Sequence, residues 1–189
     1  FNAAEFGKGL IWLHTYGERM TSKSRPPGRL PRGRARCDVA VSDREDRYPN
    51  EFRYEPASKT LFVGDGSFSP VPHEIYEFQV SGFKVVQSWL GYRMRDRSGK
   101  KSSPLDAIRP ASWTAEFTRE LLELLWVLEQ TLKGYPAQKK LLDDVLAGKL
   151  FREKELPPVP ESAREAPRVA RNADENQGEL DFRSTPAVE

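Results

Sequence analysis

"EFRYEPASKTLFVGDGSFSPVP", residues 51 to 72, is the stretch that decides the fold. Phe52 and Tyr54 alternate with charged neighbours, the period-two pattern of a strand with one covered face. "PASK" supplies turn chemistry, and "TLFVG" is a further apolar run of strand-forming residues. Gly64-Asp65-Gly66 reads as a tight turn between strands. Upstream, "CDVAVS" (37–42) also alternates, with Val39 and Val41 on one face, and "REDRYPN" (44–50) is a turn. Together these segments predict a small antiparallel meander.

Helical patterns flank it. Phe6, Leu10, Leu13 and Tyr16 recur at near-helical spacing within residues 2–16, and Gly17 is a stop signal. After Pro70 and Pro72, "HEIYEFQV" (73–80) suits a short helix or another strand. Phe83, Val86, Trp89, Leu90 and Met94 fall on one face of a helix from about Gly82 to Arg95. Ser112 stands where an N-cap belongs, ahead of a long helix to about Lys133 with a stripe of Phe117, Leu121, Leu124, Leu125, Leu128 and Leu132. Gly134 ends that helix and Pro136 begins a second, which closes near Gly148 to make a helical hairpin. From residue 152 the chain is rich in proline and charge and poor in large apolar residues, the composition of a disordered tail. The expected class is α+β: a small antiparallel meander with packed helices, a C-terminal helical hairpin and a disordered tail. The expected divisions are 1–20, 21–110, 111–151 and 152–189.

Composition narrows the function classes. Of the 189 residues, 38% are hydrophobic and 31% charged, enough for one core under a heavily charged surface. No apolar run approaches the roughly 18 residues that a membrane span needs. No secretory signal precedes the first helix, and the chain begins at Phe1, so a piece of a longer chain, in the cytoplasm, is expected. Cys37 is the only cysteine, which rules out an intrachain disulfide and a cysteine-based metal site. His14 and His73 stand far apart without metal-ligand spacing, and structural roles are expected for both. Asp143 and Asp144 read as the solvated face of a helix. No Ser/His/Asp or Cys/His arrangement offers a nucleophile, so no catalytic residue is expected in this chain.

Two loops invite a cofactor reading. Phe62, Gly64 and Gly66 match the Phe-x-Gly-x-Gly turn in which amino-methyltransferases hold S-adenosylmethionine. Such a turn must run into a helix whose N-terminus faces the ligand, and Pro70 and Pro72 exclude that helix. "SGKKSS" (98–103) lacks the first glycine of a nucleotide P-loop and the strand before it. Its lysines and serines remain suited to single phosphate contacts.

The informative charge is local. The formal net charge is only +2, yet residues 19 to 36 hold seven cations (Arg19, Lys23, Arg25, Arg29, Arg32, Arg34 and Arg36) and no acid. A second group follows the predicted Gly82–Arg95 helix: Arg93, Arg95, Arg97, Lys100 and Lys101, with Ser102 and Ser103 beside them. Trp89 and Phe83 are expected to dock that helix, with Trp89 a core anchor. Local charge is what a phosphate backbone senses within a Debye length of about 8–10 Å. Both groups are candidate nucleic-acid contacts.

"LHTYGER" (13–19) and "VSGFKVVQSWLGYR" (80–93), with "YEPASKTLFVG" and "KKSSPLDAIRPASWTAEFTRELLELLWVLEQTL", resemble the C-terminal specificity region of type ISP restriction–modification enzymes over roughly residues 1 to 151. The resemblance implies a parent chain with a nuclease, an ATPase motor and an adenine-N6 methyltransferase upstream. S-adenosylmethionine, ATP and Mg would belong to those modules and not to this one, which has neither an Asn-Pro-Pro-Tyr motif nor a Walker A loop. It implies that this chain recognises double-stranded DNA for the methyltransferase and helicase modules, that residues 1–20 link to them, and that the region around Gly82, Trp89 and Arg93 and the loop after it serve recognition. Three rivals stand beside that expectation. They are a protein-interaction module using the leucine-rich hairpin, an S-adenosylmethionine domain built on "LFVGDGSF", and an RNA-binding module.

Overall fold

The computed structural model describes residues 3–95, 111–149 and 151–161. Its elements in chain order are α1 (Ala3–His14), β1 (Arg36–Val39), a 3-10 turn (Glu45–Arg47), β2 (Phe52–Glu55), β3 (Thr60–Val63), β4 (Gly66–Ser69), α2 (His73–Tyr76), β5 (Gln79–Val80), β6 (Phe83–Lys84), α3 (Val85–Gly91) and α4 (Ala115–Ala147). The class is α+β, as the alternating patterns and apolar stripes require.

Strands β2, β3 and β4 form an antiparallel meander, and β1 pairs with the far edge of β4, giving the order β1-β4-β3-β2. The turn between β3 and β4 is the Gly64-Asp65 pair. Val63 faces Gly66 across it, and Gly64 has φ +56°. A positive φ at the first turn residue matches the twist of a two-residue hairpin. Asp65 Oδ1 accepts the Ser42 amide at 3.0 Å. Alternation along β3 buries Leu61 and Val63, and Phe68 of β4 is buried beside them. The expected shared face of Val39 and Val41 does not form. A bulge between Cys37 and Val39 shifts the register, so Val39 is exposed while Val41 packs down on Gly66.

The core lies between the sheet and the helices. Leu61, Val63 and Phe68 meet Val71 and Ile75, then Val86 and Leu90 of α3, and finally Trp113, Leu121, Leu125 and Leu128. The stripe expected on the long helix is the one buried. Its cap is Thr114 and not Ser112: the Phe117 amide donates to Thr114 Oγ1 at 3.2 Å, the N3 position of a capped first turn. The expected helical hairpin is replaced by one continuous helix of 33 residues with Pro136 inside it. A proline costs the Leu132 carbonyl its partner. Pro136 sits on an exposed stretch where water can take that place, and the residues after it are good helix formers.

The expected helix from Gly82 to Arg95 is also shorter. Ser81 (φ +50°) and Gly82 (φ +83°) form a turn between β5 and β6, so the helix begins only at Val85. Phe83 is consequently outside the helix and exposed, not docked in the core.

Residues from Gly148 onward belong to a second unit. Within it, Glu153–Glu155 form one 3-10 turn, closed by the Glu155 amide on the Arg152 carbonyl at 2.8 Å and by the Arg152 amide on Glu155 Oε2 at 2.9 Å. The tail from residue 162 lies outside the described residues.

Candidate nucleic-acid interface

The arginine-rich segment 17–36 is an irregular strap laid over α1 and α4, and several independent contacts seat it. At its first end the Gly28 amide donates to the Gly17 carbonyl at 3.3 Å, closing residues 18–27 into a loop. Gly17 has φ +81°, and a Cβ there would stand 2.8 Å from the Gly28 nitrogen, so only glycine fits. Trp12 Nε1 donates to the Pro26 carbonyl at 3.3 Å, and Leu30 packs on Trp12, Leu13 and Val127.

At the other end the strap presses into α4. A Cβ on Gly33 would lie 2.5 Å from Glu129 Oε2 and 2.7 Å from Trp126 Cδ1. Trp126 Nε1 donates to the Ala35 carbonyl at 2.9 Å. The buried Glu129 carboxylate takes the Arg34 amide at 2.7 Å, Arg34 Nε at 3.1 Å and Lys133 Nζ at 2.9 Å. Burial alone would push that carboxyl up. The hydrogen bonds of Lys133 and Arg34, with the charge of Lys133, outweigh it, and the net pKa falls below the ordinary value of 4.5.

With the strap fixed, its cations divide into two groups. Arg25 pairs with Glu5 at 3.3 Å, Arg34 with Glu129, and Arg36 donates to the Gly33 and Ala35 carbonyls at 2.6 and 2.8 Å. The side chains of Arg19, Lys23, Arg29 and Arg32 make no hydrogen bond or ion pair among the described residues. All four are exposed. Arg29 and Arg32 also line a cleft of about 850 Å³, together with Glu18 and with Glu116, Glu120 and Glu123 of α4.

The second cluster lies differently. Arg93 turns inward, its guanidinium 3.7 Å from the Trp89 ring centroid and 5.1 Å from that of Phe117, with Nη2 on Glu120 Oε2 at 2.8 Å. Its Nε is buried without a hydrogen-bond partner among the described residues. Trp89 meets Trp113 edge-on at 6.3 Å, so this arginine is part of an aromatic stack. Arg95 stays exposed and donates to the Glu45 carbonyl at 2.6 Å. Arg97, Lys100, Lys101, Ser102 and Ser103 lie outside the described residues.

The remaining sequence candidates have structural surroundings. His14 Nε2 and Thr131 Oγ1 stand 3.0 Å apart, and burial lowers the His14 pKa. His73 stacks against Tyr54 at 5.9 Å. Among the described residues no group of His, Cys, Asp and Glu could hold a metal ion, and no helix is long and apolar enough to cross a membrane. The anchors Gly33, Trp126 and Glu129 escape sequence reasoning because their contacts join distant parts of the chain, and Gly17 is legible only as a helix stop. One signal is nevertheless present: residues 124–128, "LLWVL", are apolar on every side of the helix, which requires cover on more than one face.

The family model of the type ISP C-terminal specificity domain matches residues 1–124, a span holding the sheet, the strap, α3 and the first part of α4. No curated protein and no solved structure matches the chain.

Proposed function

The chain belongs to the type ISP C-terminal specificity domain family, and from that premise we propose that it reads a target sequence in double-stranded DNA. The observation that carries this reading is the strap. It holds Arg19, Lys23, Arg29 and Arg32 exposed, and unpaired among the described residues, on a backbone locked at both ends. Fixed cations without acid partners are suited to phosphates, which set register and orientation, while base-edge contacts specify sequence. Arg97, Lys100, Lys101, Ser102 and Ser103, in the sequence that follows, supply a second set of contacts, together with Arg95.

The parent enzyme joins this domain to upstream methyltransferase, ATPase and nuclease modules. Adenine-N6 methylation, DNA translocation and cleavage belong to them, as do S-adenosylmethionine, ATP and Mg. The working compartment is the cytoplasm. Residues 1–20 link to the upstream modules, 21–110 form the recognition region, and the long helix couples the two.

A salt series tests the reading. Duplex binding by the 189-residue chain should weaken steeply with salt. Changing Arg19, Lys23, Arg29 and Arg32 together to Ala should flatten the slope by about one for each phosphate that is no longer neutralised. A folded chain that ignores duplex DNA at low salt would sink it. One observation favours a second reading, a protein-interaction module: Tyr135, Leu142, Val145 and Leu146 of α4 are exposed large apolar side chains.

A further inference from the structure

The β5–β6 ribbon is a finger. Gln79 through Lys84 are all exposed, and the strands are joined by the two-residue turn Ser81-Gly82. Both turn residues have positive φ, the geometry of the tightest right-twisting hairpin. Val80 and Phe83 are cross-strand partners flanking the turn, so their side chains lie together on one face at the tip. They remain 57% and 53% exposed. The ribbon's root is firmly held. Lys84 Nζ meets Glu77 Oε2 at 2.8 Å, Gln87 donates to Glu77 Oε1 at 2.9 Å, and the Val85 amide donates to the Phe78 carbonyl at 3.0 Å. The adjoining Tyr76 ring stacks on Tyr54 of the sheet at 4.3 Å.

We propose that Phe83, backed by Val80, is an apolar wedge that enters a DNA groove and separates a base step. The proposal rests on the DNA reading above and assigns it a probing element. Three considerations favour nucleic acid as the occupant. Two-stranded ribbons seat in the major or the minor groove of a duplex. A stable protein interface needs about 800 Å² per partner, whereas two half-exposed side chains at a tip offer about a quarter of that. A base step requires only one rigid ring to slide between its members. The other face of the ribbon presents Gln79, which can hydrogen-bond along the groove wall.

Opening a base step costs least where pairing is already weakened, and this gives the test. Two duplexes of about 30 base pairs are compared, one fully paired and one with a single central mismatch, each with 2-aminopurine beside the centre. The 189-residue chain should bind the mismatched duplex about fivefold more tightly and brighten the probe. Phe83→Ala should abolish both effects while the salt dependence of binding stays unchanged. Phe83→Leu, which keeps an apolar tip, should retain part of the preference, and unchanged melting checks that both variants fold. Salt-dependent binding with no mismatch preference, or with a preference indifferent to Phe83, overturns the wedge and leaves the DNA reading standing. Loss of self-association in Phe83→Ala with DNA binding intact assigns the tip to protein contact and also overturns it. No DNA binding by the wild-type chain at low salt overturns both proposals.

Discussion

Two clusters of arginine meet opposite fates. On the strap, Arg19, Arg29 and Arg32 stand exposed and make no ion pair among the described residues, while Arg93 is folded into a stack of Trp89 and Phe117 and neutralised by Glu120. The side chains are chemically identical. Their neighbours differ: the strap has no acid within residues 19–36, whereas α4 brings a carboxylate to Arg93 from 27 positions away. A guanidinium goes where its planar face and its charge are both satisfied. Density of positive charge along a sequence therefore does not say which cations are offered to a partner.

The sharpest way to break this contrast is to unseat the strap. Gly33→Val forces a side chain against the α4 backbone and the Glu129 carboxylate, so a destabilisation of about 3 kcal/mol is expected, read by denaturant unfolding. Its DNA binding should fall with it. Arg93→Ala should cost about 2 kcal/mol by removing the cation from its aromatic stack and from Glu120, yet leave the salt slope of DNA binding unchanged. A changed slope would place Arg93 on the DNA after all.

Glu129→Gln sharpens the comparison through pH. Because the folded-state pKa of Glu129 is lowered, its contribution is fully present above the unfolded value and is lost as pH falls through the folded one. A deficit of about 1.5 kcal/mol is expected at neutral pH, shrinking in acid as the wild type becomes protonated. Urea unfolding at a series of pH values reads both ends. Smallest in stability is Arg29→Ala with Arg32→Ala, expected to change unfolding by less than about 0.5 kcal/mol while lowering the salt slope by about two.

The sheet is legible because strand signals are local: Phe52 and Tyr54 alternate with charged neighbours, and "TLFVG" is a strand-forming run set between turns. The buried stripe of α4 is legible for the same reason. Phe83 misleads because its spacing to Val86 and Leu90 fits a helix as well as it fits the end of a hairpin. The Ser81-Gly82 pair between Val80 and Phe83 is the discriminating signal. Pro136 misleads as a break because a proline's cost depends on whether water reaches the orphaned carbonyl, which the sequence does not record. The strap's cations are legible as a group. Their separation into paired and unpaired members is not, because Glu129 and Trp126 lie more than 90 positions from the partners they hold.

The neck formed by Gly17 and Gly28 has a consequence for how such a domain diversifies. Residues 18–27 leave and rejoin the body at nearly the same point, and between Glu18 and Ser24 the segment can change so long as Arg25 and Pro26 keep their contacts with Glu5 and Trp12. Doubling the length of such a loop costs only about 0.6 kcal/mol of closure entropy. The segment behaves as an exchangeable cassette: new charges and new lengths can be tried there while the sheet, the long helix and the second seat at Gly33 remain as they are.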